Sequence, residues 1–134
     1  MNYWLIKSEP GTYSIDRFKE EKQTVWDGVR NYAARNNLRA MKKGDLAFFY
    51  HSVTEPGIVG MAKVVREAYP DPSTSEDWSV VDFSFVKKFK TPMTLAEIKK
   101  DKVLGGMDLL RLSRLSVQQV KPAEWDYILG KLGA

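Results

Sequence analysis

At 134 residues the chain is long enough for one complete hydrophobic core and too short for two ordinary domains; its 43% hydrophobic and 28% charged residues fall in the globular range. The absence of cysteine removes disulfides, thiolate nucleophiles and cysteine-ligated zinc. Basic residues (21) outnumber acidic ones (17), and the resulting charge of +4 with a pI near 9.2 permits a polyanionic partner without requiring one.

The opening MNYWLIKSEP has no basic stretch ahead of an apolar one. No run approaches the roughly 20 apolar residues that cross a bilayer. The expectation is a cytoplasmic protein, nuclear in a eukaryote, with no membrane partner, folded as a single domain over residues 1–134. Asn2 to Lys7 read as a strand with Tyr3, Leu5 and Lys7 on one face and Trp4 and Ile6 on the other, stopped by the turn residues Ser8 to Gly11. Ser14 caps a short helix burying Ile15 and Phe18, and Thr24 to Trp26 forms a brief strand ending in the Asp27-Gly28 loop.

A second helix is expected from Asn31 to Met41. Ala34, Leu38 and Met41 fall on a buried stripe, while Asn31, Arg35, Arg39 and Lys42 form a neighbouring basic one. Leu46 to Ser52 and Ile58 to Arg66 read as a hairpin turned by Glu55-Pro56-Gly57. After a polar loop at Pro70 to Ser75, Trp78 to Phe89 forms a long strand in which Val81, Phe83 and Phe85 alternate with Asp82 and Ser84, leaving one face wet. Thr94 with Glu97 makes a capping box, Gly105-Gly106 separates that helix from Met107 to Leu112, and Ser116 to Val120 can pair as a last strand. Pro122 starts a closing helix that buries Trp125, Ile128, Leu129 and Leu132. Five or six short strands with several short helices and no βαβ alternation imply an α+β domain on a small, partly closed β-barrel.

Three element ends carry side chains that a core does not need: Lys7 to Pro10, Trp26 to Asn31, and Tyr50 to Ser52. Trp26 offers a flat face, Gly28 lets a planar ligand approach the backbone beside Val29, and Asn31 combines donor and acceptor. The plainer alternative has Trp26 filling the core and Asn31 capping the helix. His51 is the only histidine, so a Ser-His-Asp triad would have to use it, yet Ser52 beside it in a strand points the other way. Glu9 and Asp27 could pair as acid and base, but Lys7 and Arg30 nearby favour ionisation of both. Arg35, Arg39 and Lys42 on the helix, with Arg111, Arg114 and Lys121 near the C-terminus, could neutralise phosphates or simply face solvent.

YWLIKSEP at 3–10, WDGVRNYAARNNLRAMKKGDLAFFYHS at 26–52, GIVGMAKV at 57–64 and SRLSVQQV at 113–120 together resemble the EVE domain family, over nearly the whole chain. The resemblance implies a PUA-like fold, related to the YTH domains that read N6-methyladenine in RNA. Ile6 to Ser8 followed by Val25-Trp26 is similar to the YTH arrangement, in which the tryptophan walls an aromatic cage; the second YTH cage tryptophan has no clear counterpart here.

The reading that follows is a non-enzymatic module binding DNA or RNA that carries a modified base, such as a modified cytosine or adenine, extruded into a pocket. Its expected ligand-binding residues are Lys7, Ser8, Trp26, Gly28, Val29, Arg30, Asn31, Tyr50, His51, Ser52, Arg114 and Ser116, with Arg35, Arg39 and Lys42 on the nucleic-acid backbone. No catalytic residue, metal or cofactor is expected. The alternatives are an RNA- or nucleotide-acting enzyme of the PUA-like superfamily, using His51 with Asp27 or Glu9, and a small-molecule or protein-binding module.

Overall fold

A computed structural model describes residues 1–133. Alternation in the first strand, β1 (Tyr3–Ser8), sets the layout: Trp4 and Ile6 enter one apolar cluster, Leu5 enters another, and Tyr3 packs beside Leu5. The sheet therefore carries a core on each face. The remaining elements are α1 (Ile15–Glu21), β2 (Gln23–Trp26), α2 (Tyr32–Ala40), β3 (Leu46–His51), β4 (Gly57–Pro70), β5 (Ser79–Thr94), α3 (Leu95–Lys100), α4 (Asp108–Arg111), β6 (Val117–Val120) and α5 (Pro122–Leu132).

The strands make one six-stranded mixed sheet in the order β2-β5-β4-β3-β1-β6. It is not closed: β2 and β6 are its edges. The β1–β3 pair is parallel, bringing Ser8 level with His51, and the other pairs are antiparallel. Phe18 of α1 and Ala34 and Leu38 of α2 pack on one face with Phe49 and Phe83, whereas Ile98, Leu109, Trp125 and Ile128 from α3, α4 and α5 pack on the other with Phe48. Phe48 stacks on Trp125, which also stacks on Tyr3.

Local signals operate as expected. The Ser14 side chain accepts from the Arg17 N–H, Thr94 and Glu97 form the capping box, and Pro122 opens the last helix. Two buried polar side chains fasten segments that lack a regular ladder. Asp45 accepts from the Trp4 indole at 3.0 Å and from the Lys42 N–H at 3.0 Å, tying the end of α2 to β1. Gln118 donates to the carbonyls of Leu112 and Leu115 and holds the chain before β6. Neither is left with an unpaired buried atom.

The expectation of a wet face along β5 requires correction. Val80, Val81, Asp82 and Phe83 are all buried, Ser84 and Phe85 are half-buried, and exposure begins only at Val86 and continues through Lys87 and Lys88. Asp82 tolerates this because its carboxylate accepts from the Tyr69 hydroxyl of β4 at 2.6 Å. β4 and β5 also run past the expected ends at Arg66 and Phe89, to Pro70 and Thr94. Their pairing skips from Met93 to Lys88, so Pro92 falls inside an irregularity where no ladder N–H is needed. Among the described residues no helix is long and apolar enough to cross a membrane.

Candidate nucleobase cleft

The loop after β1, helix α1, strand β2 and the loop between β2 and α2 enclose a cleft of about 620 Å³. Trp26, at the end of β2, forms part of its wall and floor. The residue is only 8% exposed, with its ring edge-on to Phe49, Phe83 and Tyr13 at centroid distances of 5.7, 5.9 and 6.3 Å. Trp26 thus belongs to the core and to the cleft together. Gly28 follows at φ +74°, a left-handed conformation that lets the Asp27–Val29 backbone turn along the wall; a Cβ there would meet open space, so backbone conformation and not close packing favours glycine.

Lys7, Ser8, Trp26, Gly28, Val29, Arg30 and Ser116 of the expected set come together on this cleft, with Glu9 and Asp27 among them. The Ser8 hydroxyl donates to the Tyr13 carbonyl at 2.7 Å, and the backbone N–H of Lys7 donates to the Ser116 carbonyl at 3.0 Å. Lys7 Nζ donates to the Ser113 carbonyl at 2.8 Å, and burial lowers its pKa from the usual lysine value. Arg30 is clamped to Asp71 at 3.1 Å. Hydrogen bonds from the Ser73 hydroxyl and N–H, with the arginine behind them, hold the Asp71 carboxyl below the usual carboxylate range.

The other expected residues lie elsewhere. Asn31 takes the plainer role considered from sequence, its Oδ1 accepting from the Ala34 N–H at 3.0 Å as the cap of α2. Tyr50 is buried in the opposite core. His51 borders a separate recess of about 280 Å³ beside Asp16 and Lys88, and its Nε2 accepts from the Ile15 N–H at 3.1 Å. Burial lowers the His51 pKa, consistent with a neutral acceptor holding the start of α1. The Ser52 N–H pairs with the Ser8 carbonyl, continuing the β1–β3 ladder. His51 consequently does not share a cavity with Asp27 or Glu9, the partners an acid-base reading would give it. Among the described residues no group of three potential ligands is placed to hold a metal.

The basic stripe on α2 acquires an acid that the local sequence does not show. Asp77, 42 residues after Arg35 and 38 after Arg39, pairs with both, and the Arg39 hydrogen bond holds its carboxyl below the usual range. Lys42 makes no ion pair among the described residues. Arg114 is exposed on the loop leading to Ser116, and Arg111 pairs with Asp108 at 3.3 Å.

Sequence reasoning missed the wall contributed by α1. Tyr13 donates its hydroxyl to Glu21 at 2.7 Å, Arg17 bridges to the same carboxylate at 3.2 Å, and burial together with Glu21 pushes the Tyr13 phenol up to about 12. Tyr13 and Arg17 follow the turn at Ser8 to Gly11, but only the docking of α1 against β2 brings them opposite Trp26.

The chain is similar to known proteins over its whole length. The sequence profile of the EVE domain matches residues 2–131. Thymocyte nuclear protein 1 of Mus musculus is 47% identical over 96% of this chain and 72% of its own length. A hypothetical protein from Leishmania major superposes with a TM-score of 0.93 at 45% identity, covering 99% of this chain and 95% of that one. The human THYN1 protein, solved in complex with DNA containing 5-methylcytosine, superposes at 0.91 with 41% identity, over 100% of this chain and 99% of that one. The Mmi1 YTH domain shares the fold at a TM-score of 0.59, with 10% identity over 98% of this chain and 88% of that one.

Proposed function

The chain belongs to the EVE domain family, and on that premise we propose that it is a non-enzymatic reader that takes one modified base of a nucleic acid strand into the cleft beside Trp26. The observation that carries the reading is the whole-chain similarity to a protein solved with 5-methylcytosine DNA. The cleft's size and chemistry fit a nucleobase. Trp26 and Tyr13 supply aromatic surface, Ser8 and the Asp27–Val29 backbone supply donors and acceptors, and Lys7 and Arg30 line the same cleft, Arg30 with its charge already balanced by Asp71. The acidic Glu9, Glu21 and Asp27 offset the bases on the same wall. Discrimination would therefore come from shape and hydrogen bonding, with charge adding mainly to encounter. A nuclear location in a eukaryote, or the cytoplasm of a bacterium, suits this role.

The test is a titration of short DNA carrying one central 5-methylcytosine against the same DNA with cytosine, followed by recovery of the strands. Saturable binding that favours the modified strand, with both strands recovered intact, is the expected result. Conversion or cleavage of either strand that vanishes in a cleft variant would replace the reader by an enzyme.

A further inference from the structure

We propose that Tyr32 and Trp78, with the guanidiniums of Arg30 and Arg35, form a second subsite that stacks the nucleobase next to the one held in the cleft. The inference rests on the reader function above and extends it from one nucleotide to two. Tyr32 begins α2, is 68% exposed and packs in neither apolar core. A single exposed tyrosine is ordinary. This one lies parallel to Trp78, with centroids 5.2 Å apart and planes 18° apart. Arg35 sits 5.0 Å from the Tyr32 centroid and 5.7 Å from that of Trp78, and Arg30 sits 5.5 Å from Trp78.

Trp78 belongs to the loop between β4 and β5, which is fastened to α2 and to the loop before it. Arg30 holds Asp71, Arg35 and Arg39 hold Asp77, and Arg39 Nε donates to the Ser79 hydroxyl at 2.9 Å. Trp78 is thereby fixed beneath Tyr32, and the exposed part of the tyrosine ring is ordered before any ligand arrives. A preordered aromatic surface loses little entropy on stacking a base, and every base has a face to offer it. Arg30 supplies continuity, since it lines the cleft and also covers Trp78. A strand that delivers one base to the cleft would pass Arg30 and present a neighbour to Tyr32. Asp71 and Asp77 already balance the arginines of this ladder, so its contribution is stacking more than phosphate neutralisation.

The experiment uses the whole protein and a short single-stranded DNA with one central 5-methylcytosine, read by fluorescence anisotropy. Matched strands carry an abasic nucleotide immediately 5′ or immediately 3′ of the modified base. One of these should bind wild type about 5- to 150-fold more weakly, the span for loss of one base–aromatic stack. Tyr32→Ala should lose the same factor on the intact strand and nothing further on that abasic strand, while Tyr32→Phe behaves as wild type. Its salt dependence should be unchanged and its preference for 5-methylcytosine over cytosine preserved. If the modified base is preferred but neither abasic strand is weakened, or the Tyr32→Ala and abasic losses add, the subsite is refuted while the reader stands. A wild-type protein with no preference for the modified strand would overturn the reader and this subsite with it.

Discussion

Replacing Trp26 by alanine should reduce stability and binding by separable amounts. The side chain is buried edge-on among Phe49, Phe83 and Tyr13, so its removal leaves a cavity in the core under α1 and α2. Aromatic-to-alanine changes at such sites cost about 3–5 kcal/mol, a large share of the roughly 5–15 kcal/mol that holds a domain folded. The lost stack should cost a further 1–3 kcal/mol of binding, or about 5- to 150-fold in Kd. Partial unfolding cannot imitate that loss while roughly 2 kcal/mol of stability remains, because a ratio near 30 to 1 leaves only a few per cent of molecules incompetent. Urea denaturation gives the first quantity and titration with 5-methylcytosine DNA the second, at a temperature where the variant is folded. Trp26→Phe, which refills most of the cavity, should recover stability more than affinity. A folded Trp26→Ala protein that binds modified and unmodified DNA like wild type would show that Trp26 serves the core alone.

Burial keeps the folded-state pKa of His51 below its unfolded value of about 6.5, with Asp16 opposing and Lys88 reinforcing the shift. The unfolded chain therefore takes up more protons as pH falls through about 6.5, and the stability present above that pH is progressively lost toward the folded pKa. His51→Gln, which keeps an acceptor for the Ile15 N–H but cannot titrate, should flatten the urea midpoint between about pH 7.5 and 5.5; an unchanged slope would place the titration elsewhere. Asp77→Asn should leave the urea midpoint close to that of wild type, because the carboxylate is exposed. It should nevertheless steepen the fall of DNA affinity with salt if Arg35, Arg39 and Lys42 face phosphates; an unchanged slope would mark the stripe as a clamp for the β4–β5 loop. Gly60→Ala should destabilise the fold by about 1–3 kcal/mol in the same denaturation assay, since the new Cβ would lie 2.7 Å from the Lys87 carbonyl oxygen and against Ile15; wild-type stability would mean that β4 and β5 can part there at no cost.

Much of the fold is written in local chemistry, and that part was legible. Alternation along Tyr3 to Lys7, helical spacing of Ala34, Leu38 and Met41, the Ser14 cap and Pro122 each bias a few neighbouring residues, and burial of the apolar ones enforces the same choice. The convergence of Lys7-Ser8 with Trp26 to Arg30 was legible too, through the likeness of these segments to a known family. What local patterns omit is the partner from afar. The alternation of Val81, Asp82 and Phe83 promised a wet face because nothing nearby shows that Tyr69 would cover and satisfy Asp82. The α2 stripe promised free charge because Asp77 lies 42 residues from Arg35 and 38 from Arg39. Tyr13, Arg17 and Glu21 became a wall of the cleft only when α1 docked, and Tyr32 met Trp78 only when the β4–β5 loop folded over α2. The sequence by itself determined most of the apolar core positions and which ends carry polar chemistry, because those preferences act over a few bonds. The tertiary structure decided which charges are balanced and which aromatic faces stay open, because those depend on distances between segments that only packing brings together.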